Sequence, residues 1–361
     1  MSKKKLSDDQ LRAIAKEHTV RTQPVTYDIG TLLKKIDEKE IKLDPFYQRH
    51  YRWDDGKSSR LIESLILNIP IPYIYLSNDI DIDTDDAQNE YYSVIDGQQR
   101  LTSIKRYLED DFPLKGLGII KDLEGLRFSE LPDFLKRRIK DRVINCLRID
   151  STADPTVKFD VFERLNTGSV QLTAQELRHS TFSGPFCDML SQLSKEPQFI
   201  DLTHFSSKRT GKMYDAEIVL RFFALTGGRY KTYSPLMSNF LNAFMERNQH
   251  ADQTTLSKYK DQFLTSMNRI REELGDSPFA KWKFNNRSWE LASRFNAAVF
   301  DAVVIVDDEI ASNHLAYDAI ARDNLRNLFN EQKFVKVVSG SINDTAALQS
   351  RVAAVRKAVE A

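Results

Sequence analysis

An apolar strand that stops at a glycine and restarts at once as a helix constrains this chain more than any other feature. Tyr91 to Ile95 is aromatic and branched, as strands are. Asp96 and Gly97 follow, then Gln98, Gln99 and Arg100, and then Leu101, Ile104, Tyr107 and Leu108 at helical spacing. A strand, a tight turn and a helix in so few residues place the first backbone N–H groups of the helix, and the positive end of its dipole, at the end of the strand. Such a junction suits an anion. Gly97 lets a phosphate approach the backbone closely, Arg100 offers a bidentate fork for phosphate oxygens, and Gln98 and Gln99 supply amide donors and acceptors. Asp96 is placed to hold or orient a magnesium ion through water. The plainer alternative for the same residues is a capped helix with a solvent-facing arginine.

The flanking sequence predicts a mixed α/β first half. Ser7 caps a predicted helix over 7–18, and Ile29 to Ile36 is amphipathic. Tyr47, Tyr51 and Trp53 interleave with Gln48, Arg49 and Arg52 ahead of a helix over 57–68, for which Asp54 or Asp55 is the cap. Tyr73 to Leu76 is strand-like and pairs, as a hairpin with a long acidic loop, with the strand at 91–95. A basic helix over 132–140 and a strand over 143–149 follow. Residues 157–165 are apolar at helical spacing and stop at Asn166-Thr167-Gly168, and Thr173 with Glu176 forms a capping box for the next helix. Beyond about 186 the patterns are helical throughout, at 216–224, 236–247, 255–274, 289–307 and 345–359. At 361 residues the chain is long enough for two or three domains. We expect an N-terminal arm over 1–24, an α/β domain over 25–185 and an all-helical domain over 186–361.

Three passages together resemble a known family. Tyr47-Gln48-Arg49 with Tyr51-Arg52-Trp53, then Val94 to Leu101, then Phe162 to Gly168 ending at Leu172, are similar in order and spacing to the signature boxes of the GmrSD restriction endonuclease N-terminal domain family. Phe295 to Asp301 resembles that family's C-terminal helical passage, so the likeness runs from about 25 to 355. The resemblance implies a ParB- and sulfiredoxin-like nucleotide-binding core followed by helices. It also implies a bacterial anti-phage or DNA restriction role, often against modified DNA. Carried over residue by residue, Gln48 and Arg49 would line the pocket, Asp96 to Arg100 would contact NTP phosphates, and Arg164 and Asn166 would complete the phosphate and metal site. Asp96, Arg100 and Asn166 are then the catalytic candidates, and Asp96 and Asn166 the magnesium ligands. Members that cut DNA usually carry a His-Asn-His nuclease domain, which has no counterpart visible here, so a partner nuclease or another defence protein is expected.

Composition narrows the alternatives. Lys+Arg 52 against Asp+Glu 52 gives no overall field for nucleic acid, so any DNA contact must be a local patch. Two cysteines fit a reducing, cytoplasmic setting, six scattered histidines form no metal spacing, and no segment is apolar for the length of a membrane span. Gly56-Lys57-Ser58 ends like a phosphate-binding loop but lacks the earlier glycine, and reads as a helix start. Asp79, Asp81, Asp83, Asp85 and Glu90 fall at calcium-loop positions with Thr84 where glycine is needed, and read as a solvated hairpin loop. A basic stretch from 203 to 231, in which Lys208, Arg209, Lys212, Arg221, Arg229 and Lys231 outnumber Asp215 and Glu217 near Tyr214, Tyr230 and Tyr233, is either a contact for DNA or a partner, or a solvated helix face. The leading expectation is an NTP-binding and NTP-hydrolysing sensor that associates, with itself or a partner, through residues beyond 186. The competing expectations are a DNA-binding module that reads modified DNA through Tyr47, Tyr51 and Trp53 without hydrolysis, and a nuclease or nickase working from Asp96 and Asn166.

Overall fold

The fold was obtained as a computed structural model, which describes residues 7, 8, 12, 20–43, 51, 53–80, 90–149, 159, 161, 163, 164, 172–285, 287–339 and 344–360. The predicted helices over 7–18 and 157–165 lie largely outside the described residues. The chain divides into two compact units, Met1–Val170 and Gln171–Ala361.

The first unit is built on a five-stranded mixed sheet. Its strands are β1 (Thr22–Asp28), β2 (Ile41–Lys42), β3 (Ile74–Ile80), β4 (Glu90–Asp96) and β5 (Val143–Ile149), in the order β1-β5-β3-β4-β2. β3 pairs with β4 antiparallel, as the hairpin expectation requires, and with β5 in parallel, Ile74 lying opposite Cys146. β1 runs antiparallel to β5 at the sheet edge. Four helices accompany the sheet: α1 (Ile29–Asp37), α2 (Asp55–Ile66), α3 (Gln98–Leu108) and α4 (Asp133–Lys140). Each starts or faces inward for a legible reason. Asp28 caps α1 through Thr31 N at 2.8 Å, and Ile29, Leu32 and Ile36 form its buried stripe. Asp54 caps α2 through Lys57 N at 2.7 Å, which makes Gly56-Lys57-Ser58 the first turn of an ordinary helix. Ile62 and Leu65 of α2, Leu101 and Ile104 of α3, and Ile74, Leu76, Ile144 and Cys146 of the sheet form one core. Each such fully buried side chain contributes about 1.5–3 kcal/mol.

One polar side chain is built into that core's border. Glu63 of α2 is buried, and its carboxylate accepts from Gly118 N at 3.0 Å, Ile119 N at 2.7 Å and Ile120 N at 3.0 Å. Burial raises its pKa, but the three backbone donors outweigh that and hold it below the ordinary glutamate value.

The second unit contains α5 (Ala174–Thr181), α6 (Pro185–Leu193), α7 (Pro197–Thr203), α8 (Ser207–Thr210), α9 (Tyr214–Leu225), α10 (Met237–Asn248), α11 (Gln253–Leu274), α12 (Ala297–Ser312), α13 (Ala321–Asn327), α14 (Gln332–Val337) and α15 (Thr345–Val359). The capping box at Thr173 and Glu176 is present. α9 is apolar almost all round and buried accordingly, with Phe222 packed edge-to-face and Phe223 tilted against Phe263 of α11. The division at 170/171 falls ahead of the expected 185/186 because α5 packs with α9 and α10. Its fully buried Arg178 donates to Asn242 Oδ1 at 2.8 Å, Glu217 Oε2 at 3.1 Å and Ser238 Oγ at 3.1 Å.

The expectation of an all-helical second half is corrected by a β-hairpin. β6 (Lys281–Phe284) pairs antiparallel with β7 (Trp289–Ser293), and the helix predicted from 289 begins only at Ala297, capped by Asn296. Trp289, Leu291 and Ser293 alternate with Glu290 and Ala292, a period-2 pattern that runs straight into the helical one. The basic stretch at 203–231 divides, with Lys208, Arg209, Lys212 and Lys231 exposed and the other two cations engaged in the unit. Arg221 is buried against Asp301, Arg229 donates to Phe223 O, and the Tyr230 hydroxyl donates to Glu309. No described helix is long and apolar enough to cross a membrane.

Candidate functional site

The β4–α3 junction forms as the sequence predicts, but its arginine turns inward. Gly97 adopts φ +106°, ψ 2°, a left-handed conformation that favours glycine, and α3 starts immediately after it with no side-chain cap. A Cβ at Gly97 would stand 2.3 Å from Ile74 Cδ1, so β3 packs directly beneath the turn. Glycine is therefore demanded here by packing and backbone conformation together.

Arg100, one turn into α3, is only 8% exposed. Its Nη2 donates to Asp96 Oδ2 at 2.8 Å and its Nη1 donates to the carbonyl of Pro72, just ahead of β3. Burial pulls the guanidinium pKa below that of a free arginine and Asp96 pulls it back up, leaving a group that stays charged at neutral pH. The solvent-facing arginine of the plainer alternative is not what forms. Asp96 itself keeps 41% of its side chain exposed. Among the described residues its Oδ1 takes no hydrogen bond, so one carboxylate oxygen points outward at the positive end of α3.

The Tyr51–Trp53 passage joins this junction across the fold. Trp53 N donates to Gln99 Oε1 at 3.3 Å, and the Tyr51 hydroxyl lies 2.5 Å from Ser58 Oγ and 2.6 Å from Ser103 Oγ. Arg106 covers the Tyr51 ring and Lys57 covers the Trp53 ring, each at 4.7 Å from the centroid. Two boxes far apart in sequence thus meet on α3, with Tyr51 and Trp53 knitting α2 to it. Gln98 is buried at the first position of α3. Arg164 is exposed, and Gln48, Arg49 and Asn166 lie outside the described residues. Sequence reasoning missed the Pro72 carbonyl, Ile74, Ser58 and Ser103. Ser58 is visible in the sequence only as the end of Gly56-Lys57-Ser58, Ser103 carries no motif, and a backbone carbonyl leaves no trace in the sequence.

The donor set bears on magnesium. Among the described residues no three His, Cys, Asp or Glu side chains gather as a metal-binding group. The outward oxygen of Asp96 suits a cation held mainly through water, which is how magnesium commonly binds beside phosphates.

No curated protein matches the chain. Residues 29–183 match the profile of the family described as GmrSD restriction endonuclease, N-terminal domain, a span that takes in the Tyr51–Trp53 passage, the Asp96–Arg100 junction and the 162–172 passage. On that match and those shared boxes, this part of the chain belongs to the GmrSD N-terminal domain family.

Proposed function

We propose that the chain binds a nucleoside triphosphate at the β4–α3 junction and hydrolyses it, as the sensor or regulatory part of a bacterial anti-phage defence or DNA restriction system. On this reading the five-stranded unit is a ParB- and sulfiredoxin-like nucleotide-binding fold working in the cytoplasm. The observation that carries the reading is the outward Asp96 oxygen at the start of α3, beside a glycine turn. Backbone N–H groups and the helix dipole attract phosphate oxygens there, and Asp96 with Asn166 would hold magnesium, which neutralises phosphate charge when bound. Arg100 holds Asp96 in position while its Nη1 donates to the Pro72 carbonyl, which leaves its remaining N–H groups to donate to phosphate. Gln98, Gln99, Gln48, Arg49 and Arg164 complete the proposed pocket.

The test is phosphate release from each of the four common NTPs with magnesium, alongside calorimetric binding of slowly hydrolysed analogues. Turnover in the wild type and its loss in Asp96→Asn support the reading. A wild type that binds none of the four overturns it, and binding without release removes the hydrolytic step. Labelled DNA in the same reactions separates the competing readings. Retention without phosphate release favours a DNA-binding module, and strand nicking favours a nuclease. Light-scattering mass with and without the analogue tests association through the helical unit, and a constant monomer mass, alone and with neighbouring gene products, counts against it.

A further inference from the structure

The β6–β7 hairpin presents an aromatic, cationic surface that the nucleotide site does not use. Lys281, Lys283, Arg287 and Arg294 stand against a single carboxylate, Glu290, within fourteen residues of a chain whose charges balance as a whole. Antiparallel partners share a face of the pleat, so the register Phe284 opposite Trp289 and Trp282 opposite Leu291 gathers all four apolar side chains on one side. Phe284 is 48% exposed and Leu291 42%. The Phe284 and Trp289 rings touch with centroids 5.3 Å apart. An isolated two-stranded hairpin is marginal in water, and this one is pinned from outside. The Arg326 guanidinium of α13 lies 5.7 Å from the Trp282 centroid and 5.8 Å from that of Trp289, and Lys281 Nζ donates to Ser339 Oγ at 2.5 Å. The tip is fixed too, because Asn285 Oδ1 accepts from Arg287 N at 3.1 Å and Ser288 N at 2.9 Å.

We infer that this hairpin is a contact site for single-stranded DNA. An unstacked base lies on the Phe284–Trp289 platform, and the neighbouring phosphate is drawn to Arg287 at the hairpin tip, while Lys283, on the opposite face of the pleat, adds only to the local positive charge. The size and charge of the surface favour this occupant over a protein. A stable protein interface needs about 800 Å² from each partner and is depleted of charge at its centre, whereas two exposed apolar side chains on a hairpin whose tip carries Arg287 match one nucleotide. The choice of DNA over RNA rests on the restriction-system reading; the surface itself does not require NTP hydrolysis.

The experiment is fluorescence anisotropy of a labelled oligothymidylate with the full chain, without nucleotide, at several salt concentrations. Parallel arms use the same sequence as duplex and as oligouridylate. Phe284→Ala is expected to weaken binding to the single strand roughly 5- to 100-fold, the range for losing one stacked base. Arg287→Gln is expected to weaken it and flatten its salt dependence. Both side chains are exposed, and unchanged thermal melting shows that the variants are folded. Wild-type affinity in Phe284→Ala, or no binding by the wild type, overturns the inference. Tighter binding of oligouridylate or duplex overturns the choice of single-stranded DNA, and concentration-dependent self-association abolished by Phe284→Ala shows a protein interface instead. Because nucleotide is absent throughout, none of these outcomes depends on the Asp96 site.

Discussion

Arg221 grips both carboxylate oxygens of Asp301 inside the helical unit, Nε to Oδ1 at 2.9 Å and Nη2 to Oδ2 at 2.5 Å, while Asp301 has no exposed surface at all. The equally buried Arg351 adds a third contact, 3.1 Å to Oδ2. Replacing this carboxylate by a neutral amide removes the buried charge that both guanidinium groups share. Asp301→Asn should therefore lose about 3–5 kcal/mol, a large part of the stability of a typical domain. Urea unfolding measures this, and a loss below about 1 kcal/mol would show that the group is not held as described.

Gly97→Ala meets two separate obstacles, the left-handed φ and the Ile74 Cδ1 atom. We expect destabilisation of about 1–3 kcal/mol from backbone strain, with a further loss from the clash. Adding Ile74→Val removes that methyl group and should recover only the second part. Full recovery in the double variant would mean that the backbone conformation is not the constraint.

Glu63 gives the first unit an acid-sensitive anchor. Its folded-state pKa lies below the unfolded value, so its contribution is fully present above the unfolded pKa, near 4.5, and is lost as pH falls through the lower folded value. Glu63→Gln turns an amide N–H toward backbone donors and should cost about 2–3 kcal/mol at neutral pH. The gap between wild type and variant should narrow steadily below about pH 4.5. A gap that stays constant down to pH 2.5 would contradict the three-donor arrangement.

Tyr51→Phe deletes a hydroxyl shared by Ser58 and Ser103 while keeping the ring beneath Arg106. The expected loss is about 1–3 kcal/mol, because two buried serines lose a partner at once. Replacing Ser58 and Ser103 by alanine in the same protein should make the tyrosine deletion nearly neutral. A double-mutant cycle by thermal denaturation reads this coupling directly.

Much of the fold is legible because local chemistry and tertiary packing agree. The cap at Asp54, the Thr173–Glu176 box and the β3–β4 pairing each follow from residue types at short range. β1 is not legible, since Pro24 in its middle argues against a strand. Only its place at the sheet edge, opposite Leu147 of β5, makes a missing N–H harmless. In the candidate site, the turn at Gly97 and the helix after it can be read from sequence, but the direction of Arg100 cannot. That direction is set by a carbonyl 28 residues upstream, which any residue at position 72 would supply.

Arg178 follows the last of the shared boxes by a few residues, yet every hydrogen-bond partner named for it belongs to the helical unit. The inherited segment, ending at 183, and the folding unit, ending at 170, therefore overlap. A fragment cut at the family boundary would keep Arg178 with Gln175 but lose Glu217, Ser238 and Asn242, so an excised domain should end before α5. For the same reason, joining residues 29–183 to another protein must either bring along the helices that supply Glu217, Ser238 and Asn242 or provide a substitute for them.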